Sequence, residues 1–490
     1  MSTHAVIIIG SGFGGQCAAI RLKEQGIDDF ILLERREFMG GTWCQNSYPG
    51  AAVDVQSPLY SIESEPYDWS QMFAEQDELE RYTNHVIDKH RLRDRTRTHS
   101  NVEKIQWLEA ESLWQIDVRH IQSGEPQTLK ARFVINASGP LSTPVIPDFP
   151  GRDSFKGESF HTNNWNHDFD LRGKKVAIIG SGASAAQIIP AIAPDVGELH
   201  IFQRSPHWVM PRHDYQFKGW QRKLLRHKKV YRALREAIYW TLETRIIGFK
   251  YSEFMRDLMA TRLAKKHIRQ QIKDPELRKK VTPDWSIGCK RIILSNALYP
   301  AYCRDNVTLH SQDDSIDTIT EVGINTTQGE QLELDLIIYS TGYDATDGVI
   351  SYPVVGKGGT TLASAWEDFP RAYLGTSAPG FPNLFIVTGP NTGIGHTSAI
   401  FVIEAQMNYI MSAIKSVIRQ AKQSVEVRED AEDRYTRHIH EEMNKTVWQN
   451  GGCNSWYKSK SGKVIAMFPG FSFTFRRWTK NFRSKDHIFS

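Results

Sequence analysis

Ala5-Val6-Ile7-Ile8-Ile9-Gly10-Ser11-Gly12-Phe13-Gly14-Gly15 sets the fold of this chain. Val176-Ala177-Ile178-Ile179-Gly180-Ser181-Gly182-Ala183-Ser184-Ala185 repeats it. Each stretch is a short apolar run that stops at a glycine turn and continues into residues that suit a helix. An apolar run of this length bounded by glycine reads as a buried parallel strand. Glycine lets the backbone turn sharply and approach a phosphate, and the helix that follows aims free N–H groups at it. The pattern is that of a dinucleotide-binding βαβ unit, present twice.

The residues that follow separate the two units. The first continues with Phe30-Ile31-Leu32-Leu33 and ends in Glu34, 19 residues past Gly15. An acid there accepts hydrogen bonds from ribose hydroxyls. The second continues with Leu199-His200-Ile201-Phe202, then Gln203-Arg204-Ser205, with Arg204 19 residues past Ala185. A carboxylate would repel a 2′-phosphate, whereas an arginine pairs with it bidentately. Gly180, Gly182, Ser184, Ala185, Arg204 and Ser205 therefore favour NADPH over NADH, against the alternative that Arg204 is a solvated surface charge. Gly10, Gly12, Phe13, Gly15 and Glu34 form the matching set for the other dinucleotide. Two further runs, Phe133 to Asn136 and Leu336 to Tyr339, end in small-residue turns and would close the two units.

The chain has 490 residues, 40% hydrophobic and 24% charged, as an ordinary globular protein does. It lacks the long apolar run that a membrane span requires. A strand beginning near residue 5 leaves no room for a signal peptide. The five cysteines are scattered without a C-x-x-C or zinc spacing, which points to a reducing, cytoplasmic setting. A net charge of +4 gives no case for nucleic acid. From 213 to 285 the sequence reads as helical, with 19 Lys and Arg against 8 Asp and Glu. A solvated basic face on a helical insertion is the simpler reading; contact with a membrane surface or an anionic partner is the sharper one.

The expected fold class is α/β, with two Rossmann-like dinucleotide-binding domains and an inserted helical subdomain. A first domain spans 1–140, a linker 141–174 and the second domain 175–212. The insertion spans 213–285, the second domain resumes over 286–345, and the first resumes over 346–490.

Further motifs carry a family likeness. Phe155-Lys156-Gly157-Glu158-Ser159-Phe160-His161-Thr162-Asn163-Asn164-Trp165 has the form F-x-G-x-x-x-H-x-x-x-W, and Gly41 to Asp54 has the form G-x-W-x-x-x-x-Y-P-G-x-x-x-D. Gly288-Cys289-Lys290-Arg291 follows, then Gly389-Pro390-Asn391, Gly395-His396, Ser398, Ser455-Trp456-Tyr457 and Phe468-Pro469-Gly470. In this order they resemble type I Baeyer–Villiger monooxygenases over nearly the whole chain. Asn166 stands where that family usually has Pro or Asp, and Phe468 where it often has Trp.

The resemblance implies FAD at the first turn and NADPH at the second. It implies ketone oxidation to esters or lactones through a C4a-peroxyflavin, with O2 as co-substrate and some sulfide oxidation. Arg291 is implied as the cation beside the peroxide, Asp54 as its carboxylate partner and Lys290 as a second contact to the 2′-phosphate. Thr42, Trp43, Tyr60 and Asn391 are implied on the cofactor side. Phe155, Gly157, His161 and Trp165 are implied to position the two domains rather than to exchange protons. Two alternatives are a flavin-containing N- or S-monooxygenase and an NADPH-dependent flavin reductase. The reductase would need a redox cysteine pair that no local spacing provides.

Overall fold

The computed structural model describes residues 2–346 and 349–490. Thr3–Ile9 is an inner strand of the first sheet, parallel to Phe30–Leu33 on one side and to Pro126–Asn136 on the other. Val6 and Ile8 pack with Phe133 and Ile135 on one face, and Ile7 and Ile9 pack with Val134 on the other. Burial on both faces explains why the run is continuous Ile and Val rather than alternating. Pro126–Asn136 serves further partners. Its first half pairs antiparallel with Leu113–His120, which pairs in turn with Ser100–Leu108. Its end pairs parallel with Leu384–Ile386. The chain returns to this sheet at Val354–Val355, parallel to Ser100–Leu108, and then at Leu384–Ile386. The helix Ala399–Arg419, capped by Ser398 Oγ accepting from Ile400 N at 3.2 Å, then packs beside Phe13–Glu24.

The second sheet is wholly parallel. Its spatial order is Val307–His310, Glu198–Phe202, Lys175–Ile179, Leu336–Tyr339 and Glu158–His161. The expected α/β architecture with two nucleotide-type sheets is present. One element differs from the expectation. The stretch 141–174, read as a linker, supplies the edge strand Glu158–His161. Four residues with a mixed polar pattern carry too little periodicity to announce a strand, and only the pairing with Leu336–Tyr339 defines it.

The insertion is helical, with Gly219–Leu225, Lys228–Glu243, Arg262–Gln271 and Pro275–Val281 as its regular helices. Tyr231, Ile238, Tyr239 and Leu242 enter the core below the first sheet, while Ile246, Phe249, Ala264 and Ile268 enter that of the second. Each large side chain so buried contributes about 1.5–3 kcal/mol. The insertion is therefore a joint between the two units. Among the described residues, no helix is long and apolar enough to cross a membrane.

Candidate active site

Both glycine turns are wedged against the end of a neighbouring strand. Gly10 has φ +100°, and a Cβ there would lie 2.4 Å from the Ala137 carbonyl oxygen. Gly180 has φ +116°, and its Cβ would lie 2.3 Å from that of Ser340. The helices Phe13–Glu24 and Ala183–Ile192 begin at Gly12 and Gly182, which supply no capping side chain, and neither has an acid in its first turn. Their leading N–H groups are left for a ligand, in a field that favours an anion.

Glu34 is buried and accepts from Ser11 N at 3.0 Å, Ser11 Oγ at 2.7 Å and Arg36 N at 3.0 Å. An ionised carboxylate has about four acceptor positions, so one is left for a ribose hydroxyl. The second turn is the opposite. Arg204 is exposed and makes no hydrogen bond or ion pair among the described residues. Beside it Lys290 Nζ donates to Ser205 Oγ at 2.7 Å, and Ser181 Oγ donates to the Ser205 carbonyl at 3.2 Å. Burial, and then the charge of Arg204, hold the Lys290 ammonium below the ordinary lysine range. Two cations and a hydroxyl thus converge on one small region.

The Gly41-to-Asp54 stretch lies against both turns. Gly41 has φ +65°, and its Cβ would fall 2.7 Å from Gly12 Cα. Trp43 Nε1 donates to Tyr60 Oη at 3.1 Å, with the two rings edge to face at 5.8 Å and Phe13 6.0 Å from Tyr60. Further along, Tyr48 Oη donates to Gln187 Oε1 at 3.0 Å and lies 3.2 Å from Ser184 Oγ. Gln187 Nε2 donates to the Ala52 carbonyl at 2.8 Å. A Cβ at Gly50 would meet the Gln187 carbonyl at 2.5 Å, which accounts for glycine there. The Tyr-Pro-Gly segment is thus a plate docked on the helix that leaves the second turn, and Asp54 stands just past it.

Asp54 and Arg291 form a two-point ion pair, with Nε to Oδ2 and Nη2 to Oδ1 both at 2.5 Å. Arg291 Nη1 has no partner among the described residues. Their side chains keep 39% and 31% of their surface accessible for Arg291 and Asp54 respectively, so the pair faces space that a ligand can reach. Burial alone would raise the Asp54 carboxyl, but the charge and hydrogen bonds of Arg291 outweigh it and hold it below its ordinary value. Asp54, against the opposing effect of burial, raises Arg291 above the usual arginine range. Tyr457 feels both charges and is pushed up to about 12, chiefly by burial. Arg245, from the insertion, is lowered by burial and then by the charge of Arg291. Nothing in the sequence marks Arg245, which lies in a stretch rich in basic residues.

The turn that carries Lys290 and Arg291 is tied down at its other end. Cys289 forms a disulfide with Cys453, 164 residues away, and Ser286 N donates to the Gly451 carbonyl at 2.9 Å. The five cysteines lack a C-x-x-C or zinc spacing, and the pair forms at long range instead, so no local motif could announce it. Cys17, Cys44 and Cys303 are free.

The interdomain motif takes up positions of support. His161 Nε2 donates to the Gly342 carbonyl at 3.1 Å, and its Nδ1 accepts from Asn163 N at 3.2 Å. Burial holds its ring below the ordinary histidine value, so it is neutral at neutral pH. Its ring meets Tyr343 at 5.6 Å, whose hydroxyl donates to Asn46 Oδ1 at 3.0 Å. Trp165 packs edge to face on Phe160 at 5.0 Å. A Cβ at Gly157 would strike the Phe155 ring at 2.5 Å. Thr42 is exposed beside Trp43. Asn391 is buried at φ +55°, with its amide already donating to the carbonyls of Val464 and Met467, both at 3.0 Å. Its side chain holds the C-terminal segment in place.

Residues 7–243 match the family model described as pyridine nucleotide-disulphide oxidoreductase. A Baeyer–Villiger monooxygenase of Pseudomonas aeruginosa is 41% identical over 481 residues, covering 97% of this chain and 90% of that one. The chain belongs to the Baeyer–Villiger monooxygenases. Among solved structures, an oxidised steroid monooxygenase bound to NADP superposes with a TM-score of 0.88 at 28% identity, over 100% of this chain and 99% of the other. The enzyme OTEMO in complex with FAD and NADP gives 0.88 at 27% identity, over 99% of each chain.

Proposed function

We propose that this monooxygenase converts ketones to esters or lactones using NADPH and O2, with Arg291 and Asp54 facing the reacting oxygen atoms. The observation that carries the assignment of roles is their two-point pair, partly accessible at the end of the Gly41-to-Asp54 stretch that touches both glycine turns.

FAD belongs at the Gly10 turn. The uncapped helix N-terminus there takes the pyrophosphate, Glu34 keeps an acceptor for ribose, and Trp43, Tyr60 and Phe13 supply an aromatic wall. NADPH belongs at the Gly180 turn, where Arg204, Lys290 and Ser205 take the 2′-phosphate. Bound FAD, reduced by NADPH, supplies the activation of O2. The chain's own residues do the rest.

Arg291 stays a cation throughout the working pH range, with Nη1 left over from its pairing with Asp54. A unit charge about 4 Å away is worth about 4 kcal/mol at an effective dielectric near 20, and less where solvent reaches it. That attraction favours a deprotonated oxygen nucleophile and the negative charge that develops on the ketone oxygen. Asp54 fixes the plane of the guanidinium. With its carboxyl held below the usual range it is ionised, so the pair offers no proton to quench the nucleophile. His161 is a positioning residue, since its N–H is directed at Gly342. Sulfides are a secondary substrate class for the same space.

A ketone panel incubated with NADPH and isotopically labelled O2 tests the reaction. Mass spectrometry should find ester carrying one labelled oxygen. NADPH consumption that yields only reduced O2, with every ketone recovered, would refute the assignment.

A further inference from the structure

We propose that the outer face of the helical insertion, together with the helix Ser472–Lys480, docks on an anionic lipid surface. Eight of the seventeen large hydrophobic side chains exposed among the described residues fall between Tyr215 and Met259. They are not scattered there. Trp240 lies 6.0 Å from Phe473, Phe473 4.9 Å from Phe471, and Phe471 5.9 Å from Tyr251, ring to ring. Residues 253–271 are continuously helical. Phe254, which is 67% exposed, and Leu258, 46% exposed, stand one turn apart on them, just past Tyr251 in the chain.

Charge indicates what covers this strip. The helical face that carries Phe254 and Leu258 continues through Arg262, Lys266 and Arg269, all exposed. On the helix Ser472–Lys480, Arg477 and Lys480 lie four and seven residues past Phe473 on the same exposed side. Lys266, Arg269, Arg477 and Lys480 make no ion pair among the described residues. Large aromatic side chains beside unpaired cations are what an interfacial helix presents to acyl chains and anionic headgroups. A second copy of this chain would instead bring like charge to the same face. No helix among the described residues is long and apolar enough to cross a membrane, so the contact is peripheral. A ketone that dissolves in lipid would meet the enzyme here; this use of the surface, unlike the surface itself, rests on the oxygenase reading.

Co-sedimentation of the full-length, FAD-loaded enzyme with vesicles tests the proposal. Vesicles of phosphatidylcholine and phosphatidylglycerol should carry the enzyme down, and those of phosphatidylcholine alone should carry much less. Added salt should weaken the binding. Trp240→Ser with Phe254→Ser should lower partitioning about ten-fold or more. Lys266→Glu with Arg477→Glu should remove the preference for phosphatidylglycerol. FAD content and NADPH oxidation of these variants in lipid-free buffer should match the parent, which excludes misfolding. The proposal is overturned if the parent stays in solution with both vesicles, or if the variants sediment equally well. It is also overturned if the parent is a dimer that these substitutions dissociate and that ignores lipid. Ester formation is assayed apart from vesicle binding, so failure of the oxygenase reading would leave the vesicle result standing.

Discussion

At the Gly10 turn, Glu34 is buried and accepts three hydrogen bonds from the turn and its neighbour. At the Gly180 turn, Arg204 is exposed and bonded to nothing among the described residues. The backbones of the two turns are close copies, with φ of +100° and +116° at the leading glycine and the same wedge against an adjacent carbonyl. They part further at their last position. A Cβ at Gly15 would lie 2.0 Å from the Gly10 carbonyl oxygen, whereas Ala185 is accommodated in full burial. At the first turn the charged side chain is held by the turn's own donors. At the second, the charged side chain is exposed, with Lys290 beside it bonded to Ser205. In the proposed reading the shared backbone makes a place for a pyrophosphate, and the side chain nineteen residues on selects the dinucleotide.

Substitutions that strike the backbone of one turn but not the other should have the largest effect. Gly10→Ala forces a Cβ into the Ala137 carbonyl from a positive φ, and should leave the protein colourless or insoluble. Gly182 has open space within 4 Å of its Cβ position, so Gly182→Ala should retain FAD and differ mainly in its KM for NADPH. Absorbance of the purified variants checks both.

Next comes the side chain that chooses. Arg204→Ala should raise the KM for NADPH about 10- to 100-fold, as expected for a lost charge-assisted pair, and leave that for NADH nearly unchanged. An equal rise for both would erase the distinction between the turns. The smallest effect is in pH. Burial and Arg204 hold Lys290 below its ordinary value of 10.5, so its charge is lost as pH rises through a lower value than usual. The KM for NADPH should climb by a few-fold on the alkaline side before pH 10.5, and Lys290→Met should flatten that rise. No matching change is expected from Arg291 and Asp54, whose shifts in opposite directions keep both ionised there.

Much of this was legible in the sequence, for an identifiable reason. Val6 to Ile9 and Val176 to Ile179 are buried on both faces, and their glycines are demanded by local geometry, so a short window contains the whole signal. The likeness of Gly41 to Asp54 and of Lys290-Arg291 to family motifs brought the ion pair into view, but its closure needed two segments 237 residues apart. What stayed hidden depends on such distant partners. Glu158–His161 becomes a strand only beside Leu336–Tyr339. Cys289 finds Cys453 across 164 residues, and Tyr48 finds Gln187 across 139. The Asn391 amide likewise meets the Val464 and Met467 carbonyls, more than 70 residues on.

The most direct test of the account is Arg291→Ala, followed through both halves of the reaction. Flavin reduction by NADPH without O2 should persist, because Arg204, Lys290 and Ser205 are untouched. Ester formation with O2 and a ketone should fall by about 100- to 1,000-fold or more, as for loss of a preorganised stabilising group. Ester formation at the parent rate, with Asp54 left unpaired, would contradict the role given to the pair.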